Sequence, residues 1–252
     1  MELFDLPLIW AFIIGFGIIM YVLMDGFDLG VGILFPFAPD EESRDTMMNS
    51  VAPVWDGNET WLVLGGAGLL AAFPLVYSIL LPALYIGVFL LLTGLIFRGG
   101  AFEFRFKARS SRYLWNWSFA GGSAVAAVAQ GAVVGAYIQG FETAGGVYVG
   151  GALDWLTPFT VLTGLGMLAG YALLGSTWLI MKTEGRLQEW AYRITIPLLL
   201  LAALTKQVAS VPSSLAPGTT APPEGMPSLF VTSVVETLLR PLASPPNCSG
   251  FS

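Results

Sequence analysis

Residues 8–35 read LIWAFIIGFGIIMYVLMDGFDLGVGILF. Runs of about 20 apolar residues are long enough to cross the hydrocarbon core of a bilayer as a helix. This run is longer, and its only charged residues are Asp25 and Asp28. It therefore reads as a first membrane span with two carboxylates in its second half. The preceding residues, Met1-Glu2-Leu3-Phe4-Asp5, place acids where a secretory signal carries basic residues, and no small-residue cleavage site follows the apolar run. The segment is read as a retained span.

Working outward, the same pattern recurs. A polar stretch, Pro39 to Ser50, separates the first span from a second at about Glu59 to Val76. A third follows at Ile79 to Phe97 after a short turn, a fourth at Tyr113 to Ile138 and a fifth at Leu156 to Met181. A sixth starts near Trp190 and is Leu-rich to Leu204, where Lys206, Gln207 and a Pro/Ser/Thr-rich segment begin. The expected fold is an all-α polytopic transmembrane bundle of about five complete spans plus a partial sixth. Residues 1–204 form the helical domain, and 205–252 are expected to be a disordered tail, since such a composition buries too little apolar surface to offset its ordering entropy.

Composition agrees. Of 252 residues, 55% are hydrophobic and 11% charged, against about 25% charged in a soluble domain. The net charge of −6 argues against a nucleic-acid partner. One cysteine, Cys248, cannot form an internal disulfide. There is no histidine, and imidazole is the commonest metal ligand and a principal haem ligand. The chain is thus expected to bind no cofactor or metal of its own. The eight methionines read as packing and lipid-facing side chains.

Lys and Arg cluster in the connections after spans one, three and five, while those after spans two and four hold only Glu142 and Asp154. The positive-inside bias places the odd connections in the cytoplasm and the N-terminus in the periplasm. Glycines inside the spans, among them Gly30, Gly32, Gly121 and Gly122, predict close helix packing. Trp55, Trp61, Trp115, Trp117, Trp155 and Trp190 fall near span ends, as an interfacial aromatic belt would require.

Ionisable groups within spans are costly and mark function by default. Asp25 and Asp28 are three apart, so both face one side of a helix. Two carboxylates that close cannot both ionise cheaply, which suits a proton relay; the alternative is a cap or salt bridge at the helix end. Asp56 and Glu59, again three apart, open span two and are either dipole-favoured acids of a first turn or a second acidic group facing the first. Arg98 ends span three and either snorkels to the interface or pairs with Asp25, Asp28 or Asp56. Glu103 lies in the basic loop and reads as surface.

Four segments carry a resemblance. They are Asp25 to Gly32 (DGFDLGVG), Asn49 to Asn58 (NSVAPVWDGN), Phe97-Arg98 with Phe102 to Arg105 (FEFR), and Gly175 to Gly185 (GSTWLIMKTEG). In this order they resemble subunit II of the cytochrome bd-type, cyanide-insensitive quinol oxidase family, over roughly Met1 to Leu204. The resemblance implies a haem-bearing partner, subunit I, carrying haems b and d, in a complex that oxidises quinol and reduces oxygen to water in the bacterial cytoplasmic membrane. It implies that Asp56 belongs to a cytoplasmic proton path and that Asp25, Asp28 and Arg98 line the subunit interface beside it. A bound quinone is the one ligand left open for this chain. Against the family pattern the sixth span is cut short and the tail is foreign, so the chain reads as truncated or frame-shifted. A second class of function, a secondary transporter or proton-coupled channel with its ion site at acid-rich helix breaks, would act without a partner subunit. The sequence shows no clear inverted repeat, which disfavours it.

Overall fold

The computed structural model describes residues 6–145 and 147–209. Seven α-helices dominate them: α1 (Leu6–Leu34), α2 (Glu41–Val51), α3 (Trp55–Ala72), α4 (Pro74–Phe104), α5 (Arg112–Gln139), α6 (Pro158–Lys182) and α7 (Gly185–Ala209). A single 3₁₀ turn, Phe35–Phe37, follows α1, and a two-residue hairpin pairs Thr143–Ala144 with Val147–Tyr148. The expected all-α bundle is what forms.

Four segments are long and apolar enough to cross a membrane: Leu6–Phe37, Pro74–Phe104, Arg112–Gln139 and Pro158–Lys182. This corrects the expectation of five complete spans. The reason is compositional: α3 is 18 residues long, and its first turns spend Asp56, Asn58 and Glu59 where a lone span would carry apolar residues. The sixth segment is a helix, α7, which carries Arg186, Glu189 and Arg193 in its first half. It runs to Ala209, past the boundary expected at Leu204. The expected disorder of the tail concerns residues that, from 210 onward, lie outside the described ones.

Local sequence sets the helix ends. Only Phe73 separates α3 from α4, and Pro74 stands at the first position of α4, where its missing N–H is no loss. Thr157 and Thr160 close a reciprocal capping box at the start of α6. Residues 39–50, read from sequence as a polar connection, instead form α2, whose N-cap Asp40 accepts the Ser43 backbone N–H at 2.8 Å. That bond, with the nearby Arg186 and Arg44 charges, holds the Asp40 carboxyl below the usual range.

α1 packs against α3, α5 and α6, α5 lies between α4 and α6, and α7 lies on α6. Two crossings need glycine. A Cβ on Gly30 of α1 would lie 2.6 Å from the backbone N of Gly175 on α6. A Cβ on Gly94 of α4 would lie 2.6 Å from the carbonyl oxygen of Gly122 on α5, and one on Gly122 would lie 2.9 Å from the Arg98 backbone N. Backbone contact of this kind is how helices associate in lipid, and it seats Arg98 hard against α5. Gly121, by contrast, meets nothing within 4 Å.

Large apolar side chains point outward, among them Phe12 at 76% exposure and Ile96 at 73%, as lipid-facing residues do. Trp155 departs from the expected belt: it is buried against Ala83, Leu84, Ala132 and Ala136, because the loop before α6 folds its indole back into the bundle, with Nε1 donating to the Ala152 carbonyl.

The connections after α1, α4 and α6 meet at one end. Arg105 donates to Asp45 and Glu41, and Arg186 donates to Asp40. The odd connections of the sequence reading therefore share a side, and the acids of the first neutralise bases of the others.

Candidate functional site

The site lies inside the bundle, below that charged end. At 1.5 Å of rise per residue, Arg98 is about 9 Å before the end of α4 and Asp25 about 13 Å before the end of α1. Arg98, Asp25 and Asp28 are each fully buried. Arg98 Nη1 donates to Asp25 Oδ1 at 2.6 Å, and Nη2 stands 3.8 Å from Asp28 Oδ2. On α3, Asn58 Nδ2 donates to the same Asp28 oxygen at 2.8 Å, and Glu59 Oε2 lies 3.9 Å from Arg98 Nη1. The Arg98 guanidinium is 5.9 Å from the centre of the Trp55 ring, which itself stacks on Phe102.

The arrangement follows from the helices. The spacing of three puts both aspartates on one face of α1, and that face meets α3 and α4. The close α4–α5 crossing prevents Arg98 from swinging outward, so its side chain runs across the bundle. Of the two sequence readings for Arg98, the buried ion pair is the one found. The guanidinium is nonetheless incompletely bonded: Nε, Nη2, Asp25 Oδ2 and Asp28 Oδ1 are buried without a hydrogen-bond partner. One cation faces three carboxylates, of which Glu59 is the only one with an open side, its side chain 27% exposed.

Asp56 stands apart. It is exposed and outside the ion-pair network, one turn before Glu59 at the mouth of α3. The helix starts on Val54 as N-cap with no side-chain capping bond, so neither acid is consumed as a cap.

The profile of the family described as "Cytochrome bd terminal oxidase subunit II" matches residues 6–244. The chain belongs to that family. Among its relatives, this subunit II chain is 35% identical over 190 residues to "Cytochrome bd-I ubiquinol oxidase subunit 2" of Escherichia coli K12, covering 72% of this chain and 50% of the relative. It is 34% identical over 198 residues to "Probable cytochrome oxidase subunit 2" of Haemophilus influenzae, covering 75% and 52%. It is 27% identical over 190 residues to "Cytochrome bd ubiquinol oxidase subunit 2" of Bacillus subtilis, covering 74% and 56%. The chain thus spans about half the length of the curated relatives it matches.

Within this subunit II fold, four of the five sequence-predicted residues come together: Asp25, Asp28, Glu59 and Arg98. Asp56 does not join them. Sequence reasoning missed Asn58, although it lies in the quoted segment. It missed Tyr21, which precedes Asp25 by one turn and could have been found from that spacing. Tyr171 and Gln130, buried on α6 and α5, carried no signal beyond being polar residues inside apolar runs. It also missed Arg105, which the basic run around it disguised as a loop residue. Arg105 is fully buried, bonded to Asp45, Glu41 and Asn116. Glu103 is on the surface as expected, 3.5 Å from Lys107.

Proposed function

We propose that this chain is the haem-free second subunit of a bd-type quinol:oxygen oxidoreductase of the bacterial cytoplasmic membrane. In this reading it supports the haem-bearing subunit I, and its carboxylates form part of a proton path that opens on the cytoplasmic side. The observation that carries the proposal is the buried, charge-unbalanced set of Arg98, Asp25, Asp28 and Glu59 inside a subunit II bundle.

Reducing oxygen to water consumes protons, so the complex needs a route for them through a hydrophobic bundle. The haems b and d of subunit I supply the electron chemistry when bound. This chain's donor set does not fit a haem, having no imidazole, so no step passes through one here, and quinol and oxygen are assigned to the complex with subunit I. What the chain's own residues do is hold protons. A buried carboxylate is costly to ionise without a counter-charge. Arg98 supplies one positive charge for three carboxylates, so bound protons must balance the remainder. A proton moving from one carboxylate to another on the same guanidinium relocates the negative charge without changing the net charge. Glu59 joins this buried set to the wet end of α3, and Asp56, exposed one turn earlier, is the proposed point of entry. The charged end that holds Asp56 is assigned to the cytoplasm by the Lys/Arg bias of the odd connections, which leaves the N-terminus periplasmic.

The test is turnover per haem in the purified complex containing Asp56→Asn or Glu59→Gln. Both variants keep size and polarity and remove titration. Turnover is expected to fall by about tenfold or more, toward the range a positioned proton-transfer group supplies, with the haem spectrum unchanged. Undiminished turnover in both would leave the chain as a scaffold.

A further inference from the structure

Asn58 on α3 is a polar residue to which the proton path from Glu59 gives no part. It is 5% exposed, and its side-chain nitrogen reaches across to α1. Nδ2 donates to Asp28 Oδ2 at 2.8 Å and to the Met24 carbonyl oxygen at 3.4 Å. An amide nitrogen carries two hydrogens and the amide oxygen none. Both of these α1 oxygens accept, so the nitrogen and not the oxygen of Asn58 must face α1. The amide is therefore held in one orientation, with a donor fixed on one oxygen of Asp28.

The three carboxylates around Arg98 are unequally compensated. Asp25 Oδ1 accepts the short bond from Arg98 Nη1, at 2.6 Å. Glu59 lies 3.9 Å from the same nitrogen, but its side chain is partly open and water can solvate its charge. Asp28 is fully buried and stands 3.8 Å from Arg98 Nη2, beyond hydrogen-bond reach. Its carboxyl accepts from the neutral Asn58 amide instead, and its other oxygen, Oδ1, is buried without a partner. A charged oxygen left unmet in the interior costs far more than an unmet hydroxyl. With one cation spent on Asp25, Asp28 is the acid that must stay neutral. Its proton belongs on Oδ1, because Oδ2 is the oxygen that accepts from Asn58.

We propose that Asn58 is a positioning residue that fixes Asp28 as the protonated acid of the resting set, with Oδ2 as its carbonyl oxygen and Oδ1 as its hydroxyl. Asp25 is then the ionised partner of Arg98. The neutral donor has a purpose that a second cation would defeat. A cation on Asp28 would drive off its proton, whereas an amide orients the carboxyl and leaves the proton in place. The use of that proton in oxygen reduction rests on the proton-path reading above; its assignment to Asp28 rests on the charges and bonds around Arg98.

The experiment uses the intact purified complex and begins with Asp28→Asn and Asp25→Asn. An amide mimics a protonated carboxyl, so Asp28→Asn should assemble with a Tm within about 2 °C of the parent's. Asp25→Asn strips Arg98 of its counter-charge and should fall by more. Equal losses, or the reverse order, overturn the assignment. Infrared spectra of the complex after turnover in H₂O and in D₂O then test the role of Asn58. A deuterium-sensitive protonated-carboxyl band should be present in the parent and in Asp25→Asn and absent in Asp28→Asn. In Asn58→Leu, which keeps the volume and removes the donor, that band should move to higher wavenumber, because its carbonyl has lost a hydrogen bond. A merely structural Asn58 would leave the band where it is, and that result overturns the positioning role. If Asn58→Leu fails to assemble, the order of the two aspartate variants still decides which acid holds the proton. Turnover per haem in Asn58→Leu should fall about tenfold, equivalent to about 1.4 kcal/mol of barrier. A shifted band with unchanged turnover in Asn58→Leu, Asp28→Asn and Glu59→Gln marks the failure of the path reading, while the proton stays assigned to Asp28.

Discussion

Two arginines seven residues apart, one inside α4 and the other at its C-cap, show what separates a clamp from a proposed proton-holding centre. Arg98 and Arg105 are both fully buried and both face acids. Arg105 is saturated: Nε donates to Asn116 at 2.6 Å, Nη1 to Asp45 at 2.6 Å and Nη2 to Glu41 at 2.8 Å. The Phe35 and Phe106 rings lie 5.1 and 5.2 Å from its guanidinium carbon. Arg112 shares both acids and Arg44 pairs with Glu41, so three cations meet two carboxylates at the rim. Arg98 has one short bond, two unpaired donors and three carboxylates for one charge. A saturated fork whose acids are outnumbered by cations gives those acids no cause to hold protons, and it holds α2 onto the bundle. An unsaturated fork outnumbered by carboxylates leaves room for more than one proton arrangement, as the proposed relay requires.

The largest effect should come from Arg98. Removing one member of a buried pair costs roughly 3–5 kcal/mol, because the partner charge stays behind. Arg98→Gln is expected to lower the yield of haem-bearing complex in membranes and to abolish turnover in what assembles. Arg98→Lys keeps the charge without the fork, and should restore assembly better than turnover. Normal assembly and turnover in both variants would place Arg98 in the same class as Arg105 and dissolve the comparison.

Arg105→Gln should do the opposite. Its carboxylate partners are 44% and 38% exposed and water can rescue them, so the loss should be smaller, about 1–3 kcal/mol of stability. The expected readout is a lower Tm of the complex and earlier proteolysis within residues 38–52, with turnover per haem intact. A turnover loss without a stability loss would mean that the rim, too, takes part in proton movement.

How far the sequence could have anticipated this contrast depends on what each residue's position leaves to tertiary contact. The apolar runs that became α1, α4, α5 and α6 were legible because their length alone demands a bilayer or an equivalent core. The Asp25/Asp28 face was legible because a spacing of three is a property of the helix. Arg98 was ambiguous because snorkelling and burial differ only in what the neighbouring helix allows, and the Gly94–Gly122 contact decides that. Arg105 and α2 were hidden together. A run of basic residues after an apolar span resembles a solvated loop, and a polar 11-residue segment resembles a linker. Only their mutual contact makes one buried and the other a helix, although Asp40 three residues before Ser43 was a readable start signal. Asp56 fell outside the buried set although a spacing of three puts it on nearly the same face as Glu59, because it stands one turn nearer the start of α3, where its side chain is exposed.

The smallest effect, and the one that isolates the rim, is acid sensitivity at Asp45. Partial burial pushes its carboxyl up, but hydrogen bonds from Arg112 and Arg105 and their charges outweigh this and hold it below the usual range. A carboxylate lowered on folding contributes stability that is fully present above its unfolded value, about 3.9. That contribution is lost as pH falls through the lower, folded value. Amide hydrogen exchange of α2 in the detergent-solubilised complex should therefore be flat from neutral pH down to about pH 4, once corrected for the intrinsic pH dependence of exchange, and rise below it. Asp45→Asn removes the titration and one anion, so α2 should exchange somewhat faster at neutral pH and lose the acid-dependent step attributable to this group. Glu41 remains as the second acid on Arg105, which keeps the change modest. If Asp45→Asn shows the same step below pH 4 as the parent chain, the clamp is not set by this pair. The saturation of Arg105 would then have to be explained by Asn116 and Glu41 alone.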